Sequence, residues 1–302
     1  MGYLTVDPQK VSTPELHGYL LGAVAPRPIA FASTIDKSGR VNLSPYSFFN
    51  AFSANPPMLV FSPARRVRDN TTKHTLENVE EVPEVVINIC DYSMAEQMSL
   101  ASTEYDKGVN EFVKAGFTEA KSEKVSPPRV LEAPVSMECV VDRVVKLGDQ
   151  GGAGNLIFCR VLLLHVNERI LDENKKIDPY KLDAIGRMGG DWYVRANGEA
   201  LFTIPKPLRQ KGIGVDQIPE HIRLSKVLTG NQLGRLGNVE KFPEAEEINA
   251  WQQKPEVLNI LDDRNLSEEE RQEALHRLAA KLLDKNQTED AWKVLLQNAT
   301  VS

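Results

Sequence analysis

Cysteine is scarce in this chain. Cys90, Cys139 and Cys159 lie far apart, are odd in number and are flanked by apolar residues. They cannot form a disulfide framework or a CxxC metal site, and they read as reduced, buried thiols of a cytoplasmic protein. Histidine is sparse too: none of the pairs among His17, His74, His165, His221 and His276 has the spacing of a helical zinc site, so no metal is expected. No apolar stretch approaches the roughly 20 residues a membrane span needs. The start, Met1 to Pro8, lacks a basic region and an apolar core, so no secretory signal is expected. Positive charge is not in excess either. With 36 basic against 42 acidic residues the net charge is −6, and neither nucleic acid nor an anionic membrane is an expected partner. GxSxG and GxxxxGK[ST] motifs are absent, and neither Gly148–Gly154 nor Gly212-Ile-Gly214 completes GxGxxG. Gly148–Gly154 reads as a hairpin loop.

What is present is strand. Ile29–Ile35 is an apolar run, Asp36-Lys-Ser-Gly39 suits a tight turn, and Arg40–Leu43 returns, giving a hairpin. Met58–Ser62 and Val85–Cys90 are further strands. Val135–Leu147 and Leu156–Ile170 form a long antiparallel pair. Short helices are expected over Thr75–Val82 and Met94–Ala101. Strands without regular βαβ alternation argue for an antiparallel barrel with helices packed outside. Near Pro205-Lys206-Pro207 the composition changes to helical patterning. Ser267-Glu-Glu-Glu270 is a capping box, followed by Leu275, Leu278 and Leu282 at helical spacing; a second helix opens at Thr288 with Trp292, Leu295 and Leu296 as its apolar face. The expected domains are 10–205, the barrel, and 206–302, a helical extension whose apolar hairpin docks on the barrel or on a second subunit.

One segment is unusual for a purely structural strand. Asn42-Leu-Ser-Pro-Tyr-Ser-Phe-Phe-Asn50 combines amides, hydroxyls and aromatics around Pro45, which is expected to break the strand ladder and free backbone amides. Asn42, Ser44 and Ser47 offer hydrogen bonds, and Tyr46, Phe48 and Phe49 offer flat faces, a combination suited to a planar heteroaromatic ring. Ser33 and Thr34 end the preceding strand. Ser62-Pro-Ala-Arg-Arg66 follows the next one, and Lys73-His-Thr75 opens a helix. Hydroxyls, cations and a helix N-terminus are the parts of a phosphate site.

Pro26–Thr34, Asp36–Arg40 and Asn42–Phe49, with the late Ile185-Gly-Arg-Met-Gly-Gly-Asp-Trp-Tyr193, resemble the flavin reductase-like family with the FMN-binding split-barrel fold, over about residues 10 to 205. The resemblance implies an antiparallel Greek-key split barrel of six-stranded type, mainly β with flanking helices, and a homodimer with FMN, in preference to FAD, near its interface. By position, Ser33, Thr34, Asn42, Leu43, Ser44, Ser47 and Phe48 would line the flavin. Ser62, Lys73 and Thr75 would hold its phosphate. Arg27 and the segment Arg187–Tyr193 would approach the ring from the side. Relatives often carry Lys-Asp-Thr where this chain has Lys73-His74-Thr75, so His74 adds positive charge there.

In such a protein the flavin carries the redox chemistry. No acid or base is required, and no catalytic residue is assigned. The expected function is an NAD(P)H-dependent flavin reductase, with NADH or NADPH as transient donor and a partner oxygenase or other acceptor downstream. An FMN-bound electron carrier reduced by a protein donor, and a non-catalytic binding module on the same fold, are the alternatives.

Overall fold

The computed structural model describes residues 2–205 and 211–297. Backbone proximity divides the chain into two compact units, Met1–Phe202 and Thr203–Ser302. The composition change expected at 205–207 runs into residues 206–210, outside the described residues.

The first unit is built on eleven strands: β1 (Ala30–Ile35), β2 (Val41–Tyr46), β3 (Phe49–Ala54), β4 (Pro57–Phe61), β5 (Glu84–Ile89), β6 (Glu119–Ala120), β7 (Arg129–Val130), β8 (Val135–Lys146), β9 (Asn155–Val166), β10 (Ile185–Arg187) and β11 (Tyr193–Arg195). Its helices are α1 (Thr13–Ala23), α2 (His74–Glu81), α3 (Ala95–Leu100), α4 (Glu111–Ala115) and α5 (Pro179–Leu182). Seven strands form one sheet in the order β2-β1-β5-β8-β9-β4-β3, with every neighbouring pair antiparallel. The β6–β7 and β10–β11 hairpins stand apart from it.

The two edges of this sheet, β2 and β3, are consecutive in sequence and joined only by Ser47 and Phe48. Two residues reach no more than about 10 Å, so the sheet has to curl until its edges meet. The edges approach without pairing, which gives a barrel split at β2/β3. The sheet has seven strands where the resemblance implied a six-stranded type; β3 is the strand without a local sequence signal.

Side-chain alternation sorts β1 between two cores. Ala30 and Ala32 face the barrel interior with Tyr46, Leu59, Phe61, Val85, Ile87, Ile157 and the thiols of Cys139 and Cys159; Leu76 and Val79 of α2 pack against this same core. Phe31 faces outward onto a second core with Leu43, Met94, Met98, Phe112 and Phe117 under α3 and α4. Both faces of β1 are therefore buried, and its sequence reads as a continuous apolar run. The three thiols are free and buried, and burial raises the pKa of each.

Pro45 does not leave the ladder as the sequence reading expected. It sits opposite Phe31 in register. The N–H of Leu43, two residues earlier, points away from β1 and donates to Glu111 Oε2 at 2.9 Å. Pro45 has the same parity, so its missing N–H falls on the outward side of an edge strand, where no ladder bond is lost.

The second unit contains α6 (Glu220–Arg223), α7 (Gly230–Gly237), α8 (Ala245–Gln252), α9 (Pro255–Leu261), α10 (Glu268–Asp284) and α11 (Thr288–Leu295). The expected capping box holds: Ser267 accepts from the Glu270 amide and Glu270 reaches back. Thr229 with Gln232 and Glu244 with Glu247 form two more. Trp292, Ile222, Leu236, Val257 and Leu283 fill its core, and Trp292 Nε1 donates to the Leu236 carbonyl at 3.1 Å. Gly212 and Gly237 serve a backbone crossing: a Cβ on Gly212 would lie 2.5 Å from the Gly237 carbonyl oxygen. Gly212-Ile-Gly214 is therefore a packing feature.

Candidate functional site

The site begins where β2 meets α2. Thr75, in the first turn of α2, is fully buried. Its Oγ1 accepts from Asn42 Nδ2 at 2.8 Å and from the Tyr46 hydroxyl at 2.9 Å. Burial raises the Tyr46 pKa, which keeps the phenol a donor. One turn later Asn78 donates to Thr34 Oγ1 at 3.1 Å, tying α2 to β1 as well. These bonds lock the N-terminus of α2 beside β2.

That N-terminus carries no side-chain cap, since Lys73 is the N-cap residue and makes none. The amides of Leu76 and Glu77 bond the Lys73 carbonyl at 3.0 and 3.3 Å, which leaves those of His74 and Thr75 to water or a ligand. Cations converge beside it. Lys73 and Arg66 reach Glu104 Oε1 at 3.2 and 3.0 Å, and Arg68 reaches Oε2 at 3.0 Å. Bonds to Arg66, Lys73 and Arg68 pull the Glu104 pKa down to about 2. His74, partly buried among Arg66, Lys107 and Lys73, has its pKa lowered, first by desolvation. Arg65 is committed elsewhere: it holds Asn70 Oδ1 at 2.7 Å and the Asn70 carbonyl.

The floor of this region is the Gly148–Gly154 loop. Its backbone pairs with the segment after β4, through Arg65 N to the Ala153 carbonyl and Gly152 N to the Arg65 carbonyl, both at 2.9 Å. Ser62 Oγ accepts from Asn155 N at 3.0 Å, and a Cβ on Gly154 would stand 2.8 Å from that oxygen. Glycine is needed there for close approach.

The expected site residues fall into groups. The side chains of Thr34, Asn42, Ser62 and Thr75 are buried and already hydrogen bonded, and Leu43 lies in the outer core. Such groups position a ligand surface rather than present it. Ser33 is also fully buried, and its hydroxyl has no partner. Ser44 and Ser47 are half-buried, and Phe48 is exposed, its edge against His17. Tyr46 and Phe49, expected to offer flat faces, belong to the barrel core instead. Arg27 is buried and spends its guanidinium on the carbonyls of Leu21, Val24 and Met188, with a long bond of 3.4 Å to Ser47 Oγ. Its backbone pairs with Arg187, whose guanidinium lies over the Tyr193 ring at 4.6 Å and donates to the Trp192 carbonyl. Arg27 thus fastens α1 and the β10–β11 hairpin next to Ser47. Arg68 and Glu104 were missed by sequence reasoning; Glu104 stands alone in a polar loop with no motif to mark it.

The residues fit a phosphorylated flavin where the uncapped amides of His74 and Thr75 meet the cations at α2. The unpartnered hydroxyl of Ser33 shares the parity of Phe31 and so faces the outer core. Among the described residues no cluster of three or more His, Cys, Asp or Glu could hold a metal ion, and no helix is long and apolar enough to cross a membrane.

The family model of the flavin reductase like domain matches residues 22–181. The chain belongs to that family. It is a flavin-related oxidoreductase. A relative from Aquifex aeolicus is 42% identical over 189 residues, covering 63% of this chain and 94% of that one. The nitrilotriacetate monooxygenase component B of Bacillus cereus is 32% identical, with a TM-score of 0.63, over 68% of this chain and all of that chain. A Shewanella frigidimarina protein with a split barrel domain is 23% identical with a TM-score of 0.56, over 66% and 95% of the chains, and shares the fold. The split-barrel expectation is met.

Proposed function

We propose that this protein is an FMN-binding, NAD(P)H-dependent flavin reductase that passes reducing equivalents to a partner oxygenase or another acceptor. The observation that carries this reading is the Asn42–Thr75–Tyr46 junction. It joins Tyr46, whose hydroxyl neighbours half-buried Ser44, to a helix N-terminus flanked by Lys73, Arg66 and Arg68. Lys73, the α2 amides and Arg66 would hold the phosphate. Ser44 and Ser47 would hold the polar edge of the ring, beside Phe48. When bound, FMN supplies a hydride acceptor at its N5 position. The chain's part is electrostatic: amides and hydroxyls aimed at the pyrimidine edge favour the reduced, anionic flavin. The monooxygenase component from Bacillus cereus supports an oxygenase partner by analogy only.

A homodimer is part of the proposal. β3 is an edge strand whose face is open to solvent, and Phe52 on it is 68% exposed. Sedimentation of the protein as a monomer at micromolar concentration would remove that part.

Fluorescence titration with FMN tests the site. Lys73→Ala, through the phosphate, and Ser47→Ala, through the ring, should each weaken FMN binding by about tenfold, the loss of a charged or neutral hydrogen bond. Unchanged affinity in both variants overturns the site assignment.

A further inference from the structure

Arg66, Arg68 and Lys73 all come from the segment between β4 and α2, yet the carboxylate they share comes from elsewhere, the loop between α3 and α4. We propose that Glu104 is a built-in occupant of the flavin phosphate site, and that the phosphate binds by displacing it. This rests on the FMN reading above. Both carboxylate oxygens are engaged: Oε1 takes Arg66 and Lys73, and Oε2 takes Arg68.

Two of the three cations have partners besides Glu104. Arg66 is also held by Thr71 Oγ1 at 3.0 Å and by the Thr72 carbonyl, and Arg68 by Asp69 at 3.1 Å. The Glu104 side chain is 40% exposed, so it can swing out to solvent. Exposed ion pairs contribute little to folding, so a convergence of three on one acid is poorly explained by stability. It resembles the arrangement an anion would make. Against this monoanion with two oxygens, a phosphate monoester brings a charge near −2 and three acceptor oxygens, so it wins the same donors. Binding leaves Glu104 released to solvent, ionised, without any proton transfer. Its cost is the ion pairs it gives up, and that cost is subtracted from FMN affinity. Glu104 therefore selects against weakly charged occupants and keeps FMN exchangeable. Riboflavin, which has no phosphate, never meets it.

The test is fluorescence titration of the full-length protein with FMN and with riboflavin, for wild type, Glu104→Gln and Glu104→Ala, with circular dichroism confirming the fold. Both variants should bind FMN about three- to tenfold more tightly than wild type. Riboflavin affinity should not change. Wild type that binds FMN while neither variant binds it more tightly overturns the proposal and leaves the functional reading standing. Equal gains for FMN and riboflavin overturn it as well, because the effect would then not run through the phosphate. Wild type that takes up neither flavin overturns the functional reading, and the proposal with it.

Discussion

Replacing Thr75 by valine deletes one oxygen and keeps the shape of the side chain. The oxygen it deletes is the shared acceptor for Asn42 Nδ2 and the Tyr46 hydroxyl, at a fully buried position. Each stranded buried donor costs about 1–3 kcal/mol, so Thr75→Val should lower stability by about 2–6 kcal/mol. Two comparison variants calibrate that figure. Tyr46→Phe removes one donor and leaves Thr75 bonded to Asn42; it should cost about 1 kcal/mol. Thr75→Ser keeps the acceptor and loses a methyl group, about 1 kcal/mol for the burial and the small void. Denaturant unfolding followed by far-ultraviolet circular dichroism measures all three. The fluorescence of tryptophan is a poor probe for this purpose, because the buried Trp251 and Trp292 lie in the helical unit while Trp192 is exposed. A Thr75→Val variant no less stable than Tyr46→Phe would refute the argument that Thr75 is the hub joining α2 to β2.

Two further outcomes follow from other parts of the structure. In the helical unit Ser225 Oγ accepts from the Val227 and Leu228 amides, so its own proton goes to His276 Nδ1 at 2.8 Å and the ring is neutral. Burial, with His221 adding to it, lowers the His276 pKa below 6.5; the unfolded chain takes up the proton first, so stability is present above that pH and falls as the pH drops through it. Tryptophan fluorescence should therefore show a lower denaturation midpoint at about pH 5.5 than at about pH 7.5, and His276→Gln should flatten the difference; an equal pH dependence in the variant would rule His276 out as its source. Gly154→Ala places a methyl 2.8 Å from Ser62 Oγ, and should destabilise by about 1–3 kcal/mol as an overpacked site. Ser62→Ala should relieve part of that penalty in the double variant; strict additivity in thermal unfolding would show that the two do not touch.

Much of the barrel was legible because its strands announce themselves in local pattern. The Asp36–Arg40 turn, the doubly buried run of β1 and the long β8–β9 pair each carry their cause in adjacent residues. β3 was not legible: Phe49–Ala54 has one partly buried residue and five exposed ones, so it lacks the apolar alternation that marks a strand. Pro45 misled for a related reason, since whether a proline breaks a ladder depends on edge position and parity, which only the assembled sheet supplies. Of the expected site residues, Lys73, Thr75 and Ser62 were named through the family resemblance, and their uses in the structure differ. Thr75 and Ser62 turn inward to other protein groups, a fact set by contacts 33 and 93 residues apart in sequence. Glu104 was invisible because its meaning comes wholly from three cations at least 31 residues away. The helical unit was half legible: the capping box at Ser267 and the apolar face of α11 are local signals, whereas α7 to α9 are short and lean on packing.

As a flavin reductase, this chain would hold a flavin and take hydride from a nicotinamide. The most direct test is the visible absorption spectrum of the protein, loaded with FMN and freed of excess, on addition of NADH or NADPH without oxygen. A flavin reductase should show a bound-flavin spectrum that bleaches rapidly with one or both nucleotides. A bound flavin that neither nucleotide bleaches would contradict the reductase and point to an electron carrier fed by a protein donor; a protein that stays colourless would contradict the cofactor itself.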